Sequence, residues 1–109
     1  MYNDHVAKGR ESWTYSYTGA ELLAAAERLY AEYSAKEMEA RIKHSDLMRD
    51  PAVAQNDRRL GDLKRDIEHC GMMKEQCEVF RHEFKRMPGV SYKLGLGDVT
   101  FFGLAEKHE

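Results

Sequence analysis

From Leu22 onward the chain sets apolar residues at Leu22, Ala26, Leu29 and Tyr33, at spacings of four, three and four, with polar or small residues between them. That period is one stripe of an amphipathic helix. Just before it stands Thr18-Gly19-Ala20-Glu21, which matches a capping box: Thr18 accepts from the Glu21 backbone N–H, and the Glu21 carboxylate reaches back to the N–H of Thr18. No glycine or proline interrupts residues 20–50, so the pattern predicts a helix over 19–49. Asp50-Pro51 breaks it, because proline disfavours helical geometry in the residue before it. A second helix is predicted over 51–87, opening at Asp50-Pro51 or, after a loose turn, at Asn56-Asp57. Its apolar positions are Leu60, Leu63, Ile67 and Cys70, then Met73, Cys77, Phe80, Phe84 and Met87. Two spacings of three meet between Cys70 and Met73, which reads as a stammer in a coiled-coil seam. Gly71 with Met72 and Met73 therefore predicts a bend or a close helix–helix contact. Met87-Pro88-Gly89 ends the helix.

The flanks change period. In residues 11–17, Trp13, Tyr15 and Tyr17 alternate with Thr14 and Ser16, a strand with one apolar face. Residues 90–104 read as a β-hairpin: Val90, Tyr92 and Leu94 share a face, Gly95 to Asp98 hold the turn, and Val99 and Phe101 alternate with Thr100 and Phe102. Residues 1–10 are expected to be a mobile arm and 105–109 a polar tail. The fold class is then α+β and predominantly helical, in the order strand-helix-helix-strand-strand. A long antiparallel helical hairpin carries a small three-stranded antiparallel sheet. Helices of roughly 30 residues span about 45 Å, and a hairpin that long buries only one side of each. Leu23, Tyr30, Met38, Ile42, Leu47 and Val79 lie off the main stripes. That surplus predicts self-association, most simply a twofold dimer whose hairpins form a four-helix bundle.

Composition narrows the class. A chain of 109 residues with 42% hydrophobic and 33% charged content fits a single helix-rich domain. The longest purely apolar run, Leu22 to Ala26, is far short of the about 20 residues a membrane span needs. With no apolar leader at MYNDHVAKGR and only two cysteines, a cytoplasmic location is expected. The net charge of −2 supplies no general attraction to nucleic acid. Residues 51–86 hold eight basic and seven acidic side chains, so the Arg58/Arg59 pair sits on a mixed face rather than a basic stripe.

Candidate chemistry centres on Ile67 to Cys77, IEHCGMMKEQC. His69, Met73 and Cys77 fall at i, i+4 and i+8 on a helix, a soft donor row, and Cys70 adds a second thiol. Cys70 and Cys77 are two turns apart, roughly 10 Å, too far to share one ion or a disulfide within a chain. His69, Cys70 and Cys77 are thus the residues a metal would use in an oligomer, while packing explains them without one. A di-iron bundle needs Glu-x-x-His on two helices; the chain offers Asp66-x-x-His69 against Arg41-x-x-His44. Gly95-Leu96-Gly97 has Thr100 where a phosphate loop would carry its third glycine. No catalytic residues and no cofactor are assigned.

The expected function is therefore binding. Trp13, Tyr15, Tyr17, Tyr92, Phe101 and Phe102, with Arg58 and Arg59, are the candidate contact residues, since aromatic and arginine side chains supply protein-binding hot spots. Expected partners are a second copy of the chain and another protein, with no membrane and no nucleic acid. The alternative is an oligomer that holds a small ligand or nucleotide-like anion at a subunit junction.

Overall fold

The computed structural model describes residues 15–104. The predicted arm, the tail and Trp13 lie outside the described residues. Within them the order is β1 (Tyr15–Thr18), α1 (Gly19–Arg49), α2 (Arg58–Arg86), β2 (Ser91–Leu94) and α3 (Leu96–Phe101). The protein is a predominantly helical α+β fold: two long helices packed as a hairpin, and a two-stranded antiparallel sheet. Its extents of 58 × 34 × 24 Å follow from the helix lengths.

The Thr18 capping box forms as the sequence predicts. Glu21 donates its backbone N–H to Thr18 Oγ1 at 3.2 Å, and Thr18 donates its own to Glu21 Oε1 at 2.9 Å. The preceding donors of α1 reach across the fold: Gly19 N–H donates to Val90 O at 2.9 Å and Ala20 N–H to Pro88 O at 3.0 Å. Partners outside the helix thus satisfy three of the N–H groups that a helix start leaves open. Gly19 permits this approach. A Cβ there would penetrate the Met87 carbonyl oxygen and lie 3.0 Å from Pro88 Cα.

The second helix starts later than residue 51. Asp50 O accepts from Val53 N–H at 3.0 Å and Asp50 Oδ1 from Ala52 N–H at 2.9 Å, so Asp50-Pro51 opens a β-turn with proline at its second position. Asp57 is the helix cap, accepting from Arg59 N–H at 2.9 Å.

Among the described residues the sheet has two strands where three were expected. β1 and β2 pair antiparallel with Tyr15 opposite Leu94 and Tyr17 opposite Tyr92, and the whole helical hairpin connects them. The third strand, expected over Val99 to Phe102, is instead α3. Leu96, Val99 and Phe102 recur every three residues, and Val99 and Phe102 are buried. Gly103 ends the helix at φ 63°, donating to Thr100 O while Leu104 donates to Val99 O, both at 3.0 Å. This pair of bonds is a Schellman stop, which a glycine makes at no steric cost. Arg28 of α1 fixes the same end, Nη2 donating to Phe102 O at 3.0 Å.

The core sits where sheet, hairpin and α3 meet: Tyr15, Tyr17, Leu22, Ala25, Ala26, Leu29, Cys77, Phe84, Val99 and Phe102. Phe80, Phe84, Tyr92 and Phe102 interlock there, with ring centroids 5.2 Å (Phe80–Phe102), 5.3 Å (Phe84–Tyr92) and 6.0 Å (Phe84–Phe102) apart. The predicted seam skip at Gly71 is absent. Facing positions run Leu60, Leu63, Ile67, Cys70, Lys74, Cys77, Arg81, Phe84, an unbroken alternation of threes and fours in which two cations occupy apolar places. Lys74 and Arg81 lie 5.5 and 5.3 Å from the Tyr30 ring centroid, and Lys74 also pairs with Glu37 at 3.3 Å. Met73 and Phe80, read as seam residues, are half-buried, and Phe80 packs on the Phe102 ring at 5.2 Å. A Cβ on Gly71 would meet nothing within 4 Å, so the glycine marks no close contact.

Candidate functional site

The sequence-predicted contact residues separate into two groups. Tyr15, Tyr17 and Phe102 are 5%, 3% and 4% exposed, and Tyr92 and Phe101 are half-buried against the same cluster. The first three spend their surface on the core, while Tyr92 and Phe101 keep part of theirs open. Arg58 and Arg59 open α2 at the far end and are exposed. Arg59 folds back on its own cap, Nε and Nη2 donating to the two Asp57 oxygens at 3.0 and 3.1 Å. These charge-assisted bonds from Arg59 hold the Asp57 carboxyl below its ordinary range. The candidate metal donors diverge: His69 is exposed, Cys70 is buried, and Cys77 is buried within the core. Among the described residues no three His, Cys, Asp or Glu side chains gather to hold an ion. Burial pushes the Cys77 thiol up, disfavouring the reactive thiolate.

What the sequence did not single out is a groove. On α1 the core extends to Leu29; beyond it, through Arg49, Ala40 alone is buried. On α2 the far half buries Leu60 and Cys70. Between the helices there the surface opens into two adjoining clefts. One, of about 330 Å³, is lined by Tyr33, Lys36, Glu39, Ala40, Lys43, Leu63, Asp66, His69 and Cys70. The next, of about 500 Å³, runs on through Lys43, Asp46, Leu47, Arg59, Asp62 and Leu63. Tyr33, Ala40 and Leu47 on one side, with Leu63 and Cys70 on the other, supply an apolar floor. From Tyr33 to Leu47 this is about 21 Å at 1.5 Å per residue.

The groove continues the face that α3 covers. Arg28, which holds α3, precedes Glu39 by eleven residues, three helical turns; Phe80, against which Phe102 packs, follows His69 by the same interval. Near the sheet, then, α3 fills the space between the helices, and beyond Tyr33 none of the described residues does. The hairpin's opposite side is polar, with Glu37 bridging Arg41 at 2.8 Å and Lys74 at 3.3 Å. Hydrogen bonds from Arg41 and Lys74 hold the Glu37 carboxyl below its ordinary value. The outer edge of α1 adds exposed Met38 (65%) and Ile42 (55%).

No protein-family model, curated protein or solved structure matches this chain.

Proposed function

We propose that this chain is a small, non-enzymatic interaction module that self-associates and docks on a larger macromolecule as an adaptor, regulator or inhibitor. The supporting observation is the half-built interior of the hairpin. Two helices of 31 and 29 residues share one core at the sheet end. Their far halves expose an apolar-floored groove together with Met38 and Ile42. Helical grooves of this kind take up further helices, with apolar contacts giving affinity and rim charges giving register. Light scattering on the purified chain at micromolar concentration tests the self-association: a two-chain mass supports it, and a one-chain mass contradicts it.

A second reading has one observation in its favour. The 330 Å³ cleft sets Tyr33 beside Lys36, Lys43 and His69, with Glu39 and Asp66 also in its lining; the basic side chains suit a small anion with an apolar portion. Native mass spectrometry distinguishes the two, since a retained small mass supports ligand holding and a bare oligomer supports the interaction module.

A further inference from the structure

We infer that the open half of the groove is the homodimer interface, packed face to face about a twofold axis parallel to the helices. Lys36 and Lys43 of one protomer then meet the partner subunit's Asp66 and Asp62. This deepens the self-association reading and rests on it.

Each rim of the groove carries both signs, with Glu39 and Asp46 beside the lysines of α1 and Arg59 and His69 beside the aspartates of α2. Lys36 and Lys43 line it from α1, and Asp62 and Asp66 line it from α2. Lys36 and Asp66 are exposed on opposite rims of one cleft, and neither makes an ion pair among the described residues. Lys36 only approaches the Tyr33 ring, at 5.2 Å. Lys43 and Asp62 are held by exposed neighbours on their own helices, Glu39 at 3.1 Å and Arg65. Such helix-surface pairs are worth about 0.3–0.5 kcal/mol and exchange readily. The other charges of the lining have local partners: Asp46 pairs with Arg49 at 2.6 Å and Arg59 with Asp57 at 3.0 Å.

These signs choose both the occupant and its orientation. A second hairpin related by an axis along the helices lays the partner's α2 over α1 at the same level. Lys36 and Lys43 then face the partner subunit's Asp66 and Asp62, and every contact occurs twice, as an isologous interface requires. An axis across the helices would instead lay α1 on the partner's α1 and carry Lys36 away from the partner's Asp66. The floor of Tyr33, Ala40, Leu47, Leu63 and Cys70 becomes the centre of a four-helix bundle. Its small residues Ala40 and Cys70 leave room for the partner's side chains. The bundle ends at Tyr33, where α3 occupies the same face within each subunit.

Two variants test the pairing. Lys36→Glu/Lys43→Glu sets acid against the partner's Asp66 and Asp62; Asp62→Lys/Asp66→Lys sets base against the partner's Lys36 and Lys43. Each alone should dissociate to one-chain mass in light scattering, at a concentration where the unaltered chain has two-chain mass. An equimolar mixture should recover the two-chain mass, with both chains present in native mass spectrometry. All four positions are exposed, so far-ultraviolet circular dichroism of each variant should match the parent. A variant that does not fold still tests the pairing if mixing restores both helicity and two-chain mass; folding without association, or no recovery, overturns it. If the parent itself has one-chain mass, self-association fails with it. If the parent is a dimer and either charge variant stays one alone, only the groove assignment fails.

Discussion

Gly19→Ala tests how the fold is closed. Gly19 is the first residue of α1, and its φ is not positive, so alanine is compatible with the backbone. What opposes it is position, because the new methyl would enter the Met87 carbonyl oxygen and sit 3.0 Å from both the Met87 carbonyl carbon and Pro88 Cα. These are backbone atoms in a β-turn closed by Val90 N–H to Met87 O at 3.3 Å, so no side chain can swing aside. Overpacking of this kind costs about 1–3 kcal/mol. Relief by sliding α1 away stretches the Gly19–Val90 and Ala20–Pro88 bonds, each worth about 0.5–1.5 kcal/mol. The two routes are alternatives, and alanine returns about 0.4–1 kcal/mol by restricting the unfolded chain. The net expectation is a loss of about 1 kcal/mol. Urea unfolding followed at 222 nm reads it as a midpoint lowered by about 0.5 M, for a slope of about 2 kcal/mol/M. Gly61→Ala is the matched control, since a Cβ there meets nothing within 4 Å. A Gly19→Ala midpoint equal to that of the parent would refute the claim that the helix start is locked onto the 87–90 turn.

Three further outcomes are expected. Gly71→Ala, in the interior of α2 with open space at its Cβ, should raise stability by up to about 1 kcal/mol in the same urea titration, because glycine is the poorer helix former. The Glu37 and Asp57 carboxyls are both held below their ordinary values of 4.5 and 3.8, so each contributes stability that is present above that value and lost as pH falls through the lowered one. Glu37→Gln and Asp57→Asn should flatten the acid limb of the stability curve below about pH 4.5 and leave its neutral-pH slope unchanged. Finally, Cys77, fully buried with its thiol pushed up, should resist a thiol reagent such as dithionitrobenzoate at pH 8 until urea unfolds the chain, and rapid labelling in the native state would contradict its place in the core.

Features that depend on neighbours in sequence were legible. The Thr18–Glu21 box fixes the start of α1 through contacts three residues apart, and the alternation of Tyr15, Tyr17, Tyr92 and Leu94 places them on the inner face of the sheet. Misreadings arose where two local codes overlap. Asp50-Pro51 is equally good chemistry for a helix cap and for the first half of a β-turn, and a second good cap at Asp57 lies close behind it. In Leu96 to Phe102 the alternating β-branched and aromatic residues mask the three-residue spacing of Leu96, Val99 and Phe102; the glycine at 103 was the missed helix-stop signal. The seam of α2 looked broken because Lys74 and Arg81 stand at apolar places, where Tyr30 and Glu37 on the other helix receive them. Only the paired helices reveal that. The groove was hidden for the same reason, since its rims come from residues well separated in the chain.

Hydrogen exchange measured across protein concentration tests the groove interface most directly. As a lone chain the far hairpin buries little beyond Ala40, Leu60 and Cys70, so its amides should open easily there, whereas residues 19–29 and 77–84 lie in the core. Dimerisation through the groove predicts that protection of residues 33–47 and 60–70 rises steeply with concentration while the core segments stay constant. Protection that is the same at every concentration, with a one-chain mass throughout, would contradict it.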